Sequence, residues 1–236
     1  MDISRPDDAY WLDKFKGANA FWKHDGHEER PYATTTGGRI TNQFFKGSKV
    51  AQHPGLLEQA TRELVKRANV YLYSCKLHSL HADVVVAPAK GGITLGYEMA
   101  RRFPLALAWF TEPMGEGKNR HMTLSRFDEP ISGKYVLAVE DVTTTGTSVD
   151  SAIEAMFRFN PHIIVYDFVL CLANRSGKDT TMAGKKIISL VTITDARTWH
   201  RGSNSFIPGG GELVEPVDPD KDWHALIRPY YSRSDN

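Results

Sequence analysis

Little in this chain points to export, to a membrane or to nucleic acid. It has two cysteines, Cys75 and Cys171, far apart in the sequence. They are too few for a disulfide framework and do not make a metal site, so buried thiols in a reducing, cytoplasmic setting are expected. No apolar run approaches the roughly 20 residues that a membrane-spanning helix needs. The opening MDISRPDDAY is acidic and polar, unlike a signal peptide. An excess of charge of one sign is also missing: 29 Lys and Arg face 28 Asp and Glu, a net +1, with no basic block. Electrostatics therefore make no case for nucleic acid or an anionic membrane as a partner. Internal repeats and low-complexity segments are absent. What remains is a chain of 236 residues, 41% hydrophobic, which suits one α/β domain with a real core.

The most informative stretch is YVLAVEDVTTTGTSV, residues 135–149. A short apolar run, Tyr135 to Val139, ends in the adjacent carboxylates Glu140 and Asp141. Five of the next seven residues carry hydroxyls (Thr143, Thr144, Thr145, Thr147 and Ser148), with Gly146 among them. Val149, Ile153, Met156 and Phe157 then fall at helical spacing. The pattern predicts a buried strand, a tight polar loop and a helix. Such a loop aims backbone N–H groups and hydroxyls at one spot beside the positive end of a helix dipole, which suits a phosphate. The carboxylates beside it can serve sugar hydroxyls or a hydrated metal. It is not a Walker A loop, because no lysine precedes Thr147–Ser148.

Elsewhere the expected elements alternate. Trp11, Phe15 and Phe21–Trp22 anchor a docked N-terminal segment. Thr34–Gly38 reads as a turn, and residues 38–50 as a short strand or hairpin. That hairpin is either surface structure or a substrate-covering segment, since Arg39, Thr41 and Asn42 offer hydrogen bonds beside Phe44. Pro54 to Val70 is a helix with Leu57, Ala60, Leu64 and Ala68 on one face. His78 and His81 are expected as solvated loop residues, not a metal pair. Asp83–Ala87 is a buried strand that runs into Ala89–Lys90–Gly91–Gly92 and a helix, Ile93–Arg102. This turn is either an ordinary βα connection or an anion loop to which Lys90 adds charge. Leu105–Phe110 is the next strand. The polar stretch 111–126, with Lys118, Arg120, His121 and Arg126, is either a solvated hairpin or a loop that closes over a pyrophosphate. His162–Ala173 and Lys186–Thr194 are further strands. The tail is turn-rich at Gly202 and Pro208–Gly211, and Trp199, Trp223 and Leu226 are candidates to dock it.

From residue 83 the order is therefore β-α-β-loop-β-α-β-β. It predicts an α/β fold with an open, mainly parallel twisted sheet and helices on both faces, whose ligands sit at the carboxyl ends of the strands.

The stretch VLAVEDVTTTGTSV resembles the phosphoribosyl-pyrophosphate signature of type I phosphoribosyltransferases. Residues 82–103, ADVVVAPAKGGITLGYEMARRF, are similar to the pyrophosphate turn and helix of the orotate phosphoribosyltransferases within that family. GGRITNQFFKGSKVAQHPGLLEQATREL (37–64) and GGGELVEPV (209–217) are similar to that family's N- and C-terminal segments. Gly37–Gly38 stands where the family usually has Ser-Gly. Thr111–Glu112–Pro113 stands where it usually has a lysine.

The resemblance implies a single domain over 1–236, with an N-terminal segment and base-covering hood to about residue 50. A core over about 53–195 and a C-terminal tail from about 196 complete it. It implies transfer of a phosphoribosyl group from phosphoribosyl pyrophosphate to a nucleobase, orotate first, with Mg²⁺ as cofactor and a homodimer as the assembly. Neither nucleic acid nor a membrane is an implied partner. By the same resemblance Glu140 and Asp141 hold the ribose hydroxyls, and Asp141 serves as acid/base. Thr143, Thr144, Thr145, Gly146, Thr147 and Ser148 hold the 5′-phosphate. Ala89, Lys90, Gly91 and Gly92 hold pyrophosphate, joined by Lys118, Arg120, His121 and Arg126, with Lys118 a catalytic cation. Mg²⁺ has no dedicated ligands beyond the substrate and Glu140 and Asp141. Arg39, Thr41, Asn42 and Phe44 cover the base. Other bases, or a non-catalytic sensor of the same donor, are the alternatives.

Overall fold

The computed structural model describes residues 7–27, 29–35, 37–115, 121–124, 130–200 and 214–228. In chain order the elements are α1 (Asp8–Gly17), β1 (Phe21–Lys23), β2 (Ala33–Thr34), β3 (Ile40–Thr41), β4 (Gln43–Phe45), α2 (Gly47–Ala51), α3 (Pro54–Ser74), β5 (Val84–Pro88) and α4 (Gly92–Ala100). Then follow β6 (Leu107–Met114), β7 (His121–Thr123), β8 (Tyr135–Thr143), α5 (Thr147–Phe159), β9 (Ile164–Asn174), β10 (Lys186–Thr192), β11 (Thr198–Trp199) and α6 (Trp223–Ile227). They fall into two compact units. One is made of the described parts of Met1–Trp11 and Gly47–Thr194, the other of Leu12–Lys46 and Asp195–Asn236.

The larger unit is built on a six-stranded sheet in the order β10-β9-β8-β5-β6-β7. Its first five strands run parallel and β7 is antiparallel to β6. The continuous apolar runs at Val84–Ala87, Val136–Val139 and Phe168–Ala173 are buried throughout, as strands covered on both faces must be. On one face α5 sets Val149, Ala152, Ile153 and Met156 against Val84, Val86, Val136 and Ala138. Alternation turns Val85 and Ala87 to the other face, where α4 lies close. A Cβ added to Gly96 would come within 2.9 Å of the Ala87 Cβ, so a side chain there would push helix and sheet apart.

Helix α3 follows from its sequence. Pro54 sits in the first turn, where no N–H is needed. Leu57, Ala60, Leu64 and Ala68 are buried as one stripe, and Leu72 carries the stripe past Val70 to a later end at Ser74. A largely buried residue of α3 binds the edge strand of the sheet. Arg67 Nη1 donates to the carbonyls of Ser189 at 2.6 Å and Leu190 at 3.1 Å on β10. Asp8 accepts from the Thr192 N–H at 3.2 Å. An edge strand occupied in this way offers little to a foreign strand.

The described part of the polar stretch after Phe110 agrees with the hairpin reading: β6 continues to Met114 and pairs antiparallel with β7 through Glu112–Thr123, Pro113–Met122 and Met114–His121. Pro113 is tolerated because this is the last pair of the sheet. Residues 47–51 form α2, which no local periodicity signalled. Cys75 is exposed at the end of α3 while Cys171 is buried, and both are free thiols; only Cys171 behaves as expected. No described helix is long and apolar enough to cross a membrane.

In the smaller unit β1 pairs antiparallel with β4, and β11-β3-β2 form a second small sheet. Trp22, Ala33, Trp223 and Leu226 make one cluster, with Phe44 packed against it. Tyr32, Ile40 and Trp199 make another. Trp223 Nε1 donates to the Asn19 carbonyl at 2.9 Å. The tail residues Trp199, Trp223 and Leu226 thus bury their side chains against N-terminal ones. Gly202 and Pro208–Gly211 lie outside the described residues.

Candidate active site

Strand order decides where a ligand can enter. From β5 the chain moves one way along the sheet, to β6 and β7. It then returns to the other side of β5 with β8 and moves the opposite way, to β9 and β10. Between β5 and β8 the turns leaving the two carboxyl ends therefore diverge, and a crevice opens there. The turns in question are Ala89–Gly92 and Thr144–Gly146, the two that the sequence marked as anion loops. The strands that carry them are in direct register, Val84 with Val136 and Val86 with Ala138.

The first turn is fixed at its start by the Ala89 N–H, which donates to the Thr111 carbonyl at 2.7 Å. Its Ala89–Lys90 peptide is cis. Lys90 and Gly91 are exposed, whereas Gly92 is buried at the start of α4. In the second turn Gly146 is the N-cap of α5, with φ at 80°, a left-handed geometry that suits glycine. Thr144, Thr145, Thr147 and Ser148 are exposed around it. Thr145 and Thr147 share a hydroxyl–hydroxyl bond of 2.8 Å. Thr143 differs from its neighbours: it is fully buried and donates its hydroxyl to Glu140 Oε2 at 3.2 Å. Any help it gives a ligand passes through Glu140.

The carboxylates stand on β8 itself, so their side chains point to opposite faces. Glu140 is only 8% exposed. Burial, then the negative charge of Asp141, push its pKa from 4.5 up to about 8, against the opposing pull of hydrogen bonds from Thr143 and Ser148. Near neutral pH the ligand-free protein therefore favours Glu140 with its proton. Cys171 faces Glu140 in the β8–β9 register, and burial pushes its thiol up to about 12, so it stays neutral beside the acid. Asp141 turns the other way. A Cβ on Gly91 would lie 2.7 Å from its carboxylate oxygens, and one on Gly47, the first residue of α2, 2.2 Å from Oδ2. Two glycines from distant parts of the chain thus let backbone close on this one side chain.

The other expected site residues are scattered in their placement. His121 is exposed on the edge strand β7. Lys118, Arg120 and Arg126 lie outside the described residues. In the smaller unit Thr41 is fully buried with its hydroxyl on the Gln43 carbonyl at 3.0 Å. Asn42 Oδ1 accepts from the Arg197 N–H at 2.8 Å. Arg39 is exposed. Phe44 packs its ring 6.0 Å from that of Trp223. Two residues passed over in the sequence stand at the carboxyl ends of β8 and β9. Arg175 donates its N–H to the Thr143 carbonyl at 2.7 Å, and burial pulls its guanidinium down to about 10. Asp150, in the first turn of α5, is buried. The only sequence signals were a charged residue close after a strongly apolar run for Arg175 and an acid in the first turn of a helix for Asp150.

Among the described residues no group of three or more His, Cys, Asp and Glu gathers to hold a metal. The half-buried Asp141 carboxylate suits a hard divalent cation that keeps waters and takes its other ligands from a substrate; Glu140, buried and turned to the opposite face, does not share that position. His81 lies outside the crevice, its Nε2 3.2 Å from Asp83 Oδ1.

This arrangement has relatives. Residues 58–203 match the family model of the phosphoribosyl transferase domain. An orotate phosphoribosyltransferase of Desulforamulus reducens is 35% identical over 159 residues, 67% of this chain and 74% of the relative. One of Caldicellulosiruptor saccharolyticus is 32% identical over 179 residues, 76% of this chain and 84% of the relative. Among solved structures, orotate phosphoribosyltransferase from Aeropyrum pernix superposes with a TM-score of 0.55 at 21% identity, covering 77% of this chain and 92% of that one; this likeness is one of fold. With the signature on β8 and the crevice between β5 and β8, the match identifies the chain as a member of the phosphoribosyltransferase family.

Proposed function

We propose that this protein transfers the 5-phosphoribosyl group of phosphoribosyl pyrophosphate to orotate and releases pyrophosphate. The observation that carries the proposal is the pair of anion turns, side by side at the β5–β8 switch point, with two carboxylates between them. A ligand with phosphate at one end, pyrophosphate at the other and a diol between fits that order of groups. The curated relatives above, named orotate phosphoribosyltransferases, support orotate as the acceptor.

In the reaction the bond from ribose C1 to the pyrophosphate oxygen breaks with its electron pair leaving on pyrophosphate. The base nitrogen gives up its proton, for which Asp141 is the proposed acceptor, and the lone pair left on it forms the new bond to C1. The transition state carries positive charge at C1, as in glycoside cleavage, so positioning and charge stabilisation supply most of the rate. Thr144, Thr145, Thr147 and Ser148, with the N–H groups at the mouth of α5, hold the 5′-phosphate. Asp141 and Glu140 accept hydrogen bonds from the ribose hydroxyls, for which Glu140 must give up its proton. Their negative charge also favours the cationic transition state. Ala89–Gly92, with Lys90, receives the pyrophosphate, and Lys118, Arg120, His121 or Arg126 neutralises it as it leaves. Bound Mg²⁺ would supply charge neutralisation on the phosphates, and Asp141 is the residue to face it. Arg39, Asn42 and Phe44, and Thr41 through its support of that strand, are the proposed contacts for the base. A homodimer and a cytoplasmic setting belong to the same proposal; the free thiols of Cys75 and Cys171 suit a reducing compartment.

A second reading keeps the donor and changes the base, or keeps donor binding without turnover. It is favoured by Gly37–Gly38 and by Thr111–Glu112–Pro113 in place of a lysine. One experiment separates these readings: incubation with donor, Mg²⁺ and a panel of bases, reading pyrophosphate. Release with orotate alone supports the proposal, release with another base the second reading. Release with no base rules out turnover.

A further inference from the structure

Asp150 has no part in the chemistry above, yet it is one of the few buried acids in the larger unit, 7% exposed in the first turn of α5. Its backbone N–H donates to the Gly146 carbonyl at 2.9 Å. Both carboxylate oxygens are used: one accepts from the Thr181 hydroxyl at 2.7 Å, the other from the Ala183 N–H at 2.9 Å. Thr181 belongs to the turn between β9 and β10. That turn is held by its own bonds, Thr181 N–H to the Lys185 carbonyl at 2.9 Å and Gly184 N–H to the Thr181 carbonyl at 3.1 Å. The circuit closes at the glycine of the phosphate loop. A Cβ on Gly146 would lie 2.6 Å from the Thr181 Cβ and 3.0 Å from its Cα. Loop glycine, helix first turn and the 181–184 turn therefore lock one another in place.

We propose that Asp150 is a positioning residue for the phosphate loop, clamping the 181–184 turn through Thr181 and Ala183 so that Gly146 is held with its neighbours' N–H groups aimed at the donor's 5′-phosphate. A carboxylate is a costly choice so close to a bound phosphate, since the two charges repel. It is retained here because a carboxylate can accept from both Thr181 and Ala183 at once, as an apolar residue cannot. A clamp of this kind lowers the cost of ordering the loop at the moment of binding. It leaves the reacting carbon untouched.

The inference rests on the reading of Thr143–Ser148 as the phosphate loop, and the test separates the two. Steady-state kinetics with varied donor, and competition by inorganic phosphate, are measured for wild type, Asp150→Ala, Asp150→Asn, Thr181→Val and Thr181→Ser. Breaking a charge-assisted bond predicts that Asp150→Ala and Thr181→Val raise the KM for donor and weaken phosphate inhibition by about 10-fold or more, with kcat within about 3-fold. Thr181→Ser keeps the hydroxyl and should restore most of the donor affinity. Asp150→Asn, which keeps one acceptor, should fall between. If Asp150→Ala fails to fold, the Thr181→Val and Thr181→Ser pair decides. Equal KM and phosphate inhibition in wild type and Thr181→Val would overturn the clamp, as would a loss confined to kcat. A wild-type protein that turns over yet is indifferent to phosphate would overturn the phosphate-loop reading itself.

Discussion

Substituting Glu140 by Gln separates the protein's pH-dependent stability from its chemistry. The folded protein raises this carboxyl from 4.5 to about 8, so between those values the native state holds a proton that the unfolded chain has released. The sign follows from linkage: wherever the native state binds more protons, stability falls as pH rises. The contribution is intact below the unfolded value and is fully lost once pH passes the folded one. At about 1.4 kcal/mol per pH unit, the window is worth about 5 kcal/mol. Glutamine has the same shape and still accepts from the Thr143 hydroxyl, but it cannot ionise inside the fold. Thermal melts from pH 5 to pH 9 should therefore show wild type losing stability faster than Glu140→Gln. The curves should converge near pH 5 and separate by about 10 °C near pH 9, taking about 2–4 °C per kcal/mol for a chain of this size. Titrating groups remote from Glu140 are common to both proteins and cancel in the difference. Parallel curves across the range would refute the assignment of a buried, proton-bearing acid at this position.

Other consequences follow from the same geometry. Gly91→Ala and Gly47→Ala each place a methyl on the Asp141 carboxylate, and a displacement of about 1 Å at a positioned group costs about 10²-fold in rate. Turnover should fall by that order while melting temperature moves little, and unchanged turnover would show that Asp141 need not stand there. Gly146→Ala must adopt a left-handed backbone, at about 1–2 kcal/mol, and must also displace Thr181. A melting temperature within 1 °C of wild type would contradict the packing. Asp141→Asn should lower the rate by about 10²–10⁴-fold, read as pyrophosphate release under saturating donor. Donor binding at pH 7 should expel a proton from Glu140. Calorimetry in buffers of different ionisation heat would detect it, and a heat independent of buffer would argue against the release.

What the residues disclosed in advance depended on distance along the chain. Strand, turn and helix from Tyr135 to Phe159 were legible because alternation, carboxylates, glycine and helical spacing all lie within one short window. Helix α3 was legible for the same reason, from Pro54 and the stripe at Leu57, Ala60, Leu64 and Ala68. The packing of Gly47 on Asp141 was not legible, since no periodicity links a glycine that opens a short helix to a carboxylate four strands later. The Asp150–Thr181 clamp was hidden likewise: Asp150 reads as a solvated first-turn acid until the 181–184 turn is folded over it. The pairing of β6 with β7 was one of two readings left open by composition, because an edge strand needs little apolar content. Cys75 misled for a simpler reason, that a lone cysteine is often buried, whereas this one follows the last turn of α3.

The crevice between β5 and β8 is proposed to move a phosphoribosyl group onto a pyrimidine acid. The most direct test incubates the purified protein with phosphoribosyl pyrophosphate, Mg²⁺ and orotate and identifies the product by mass, with Asp141→Asn in parallel. Orotidine 5′-monophosphate and an equal amount of pyrophosphate are expected from the wild type, both strongly reduced in the variant. Donor bound but no nucleotide formed, or a nucleotide formed at the same rate by the variant, would contradict the proposal.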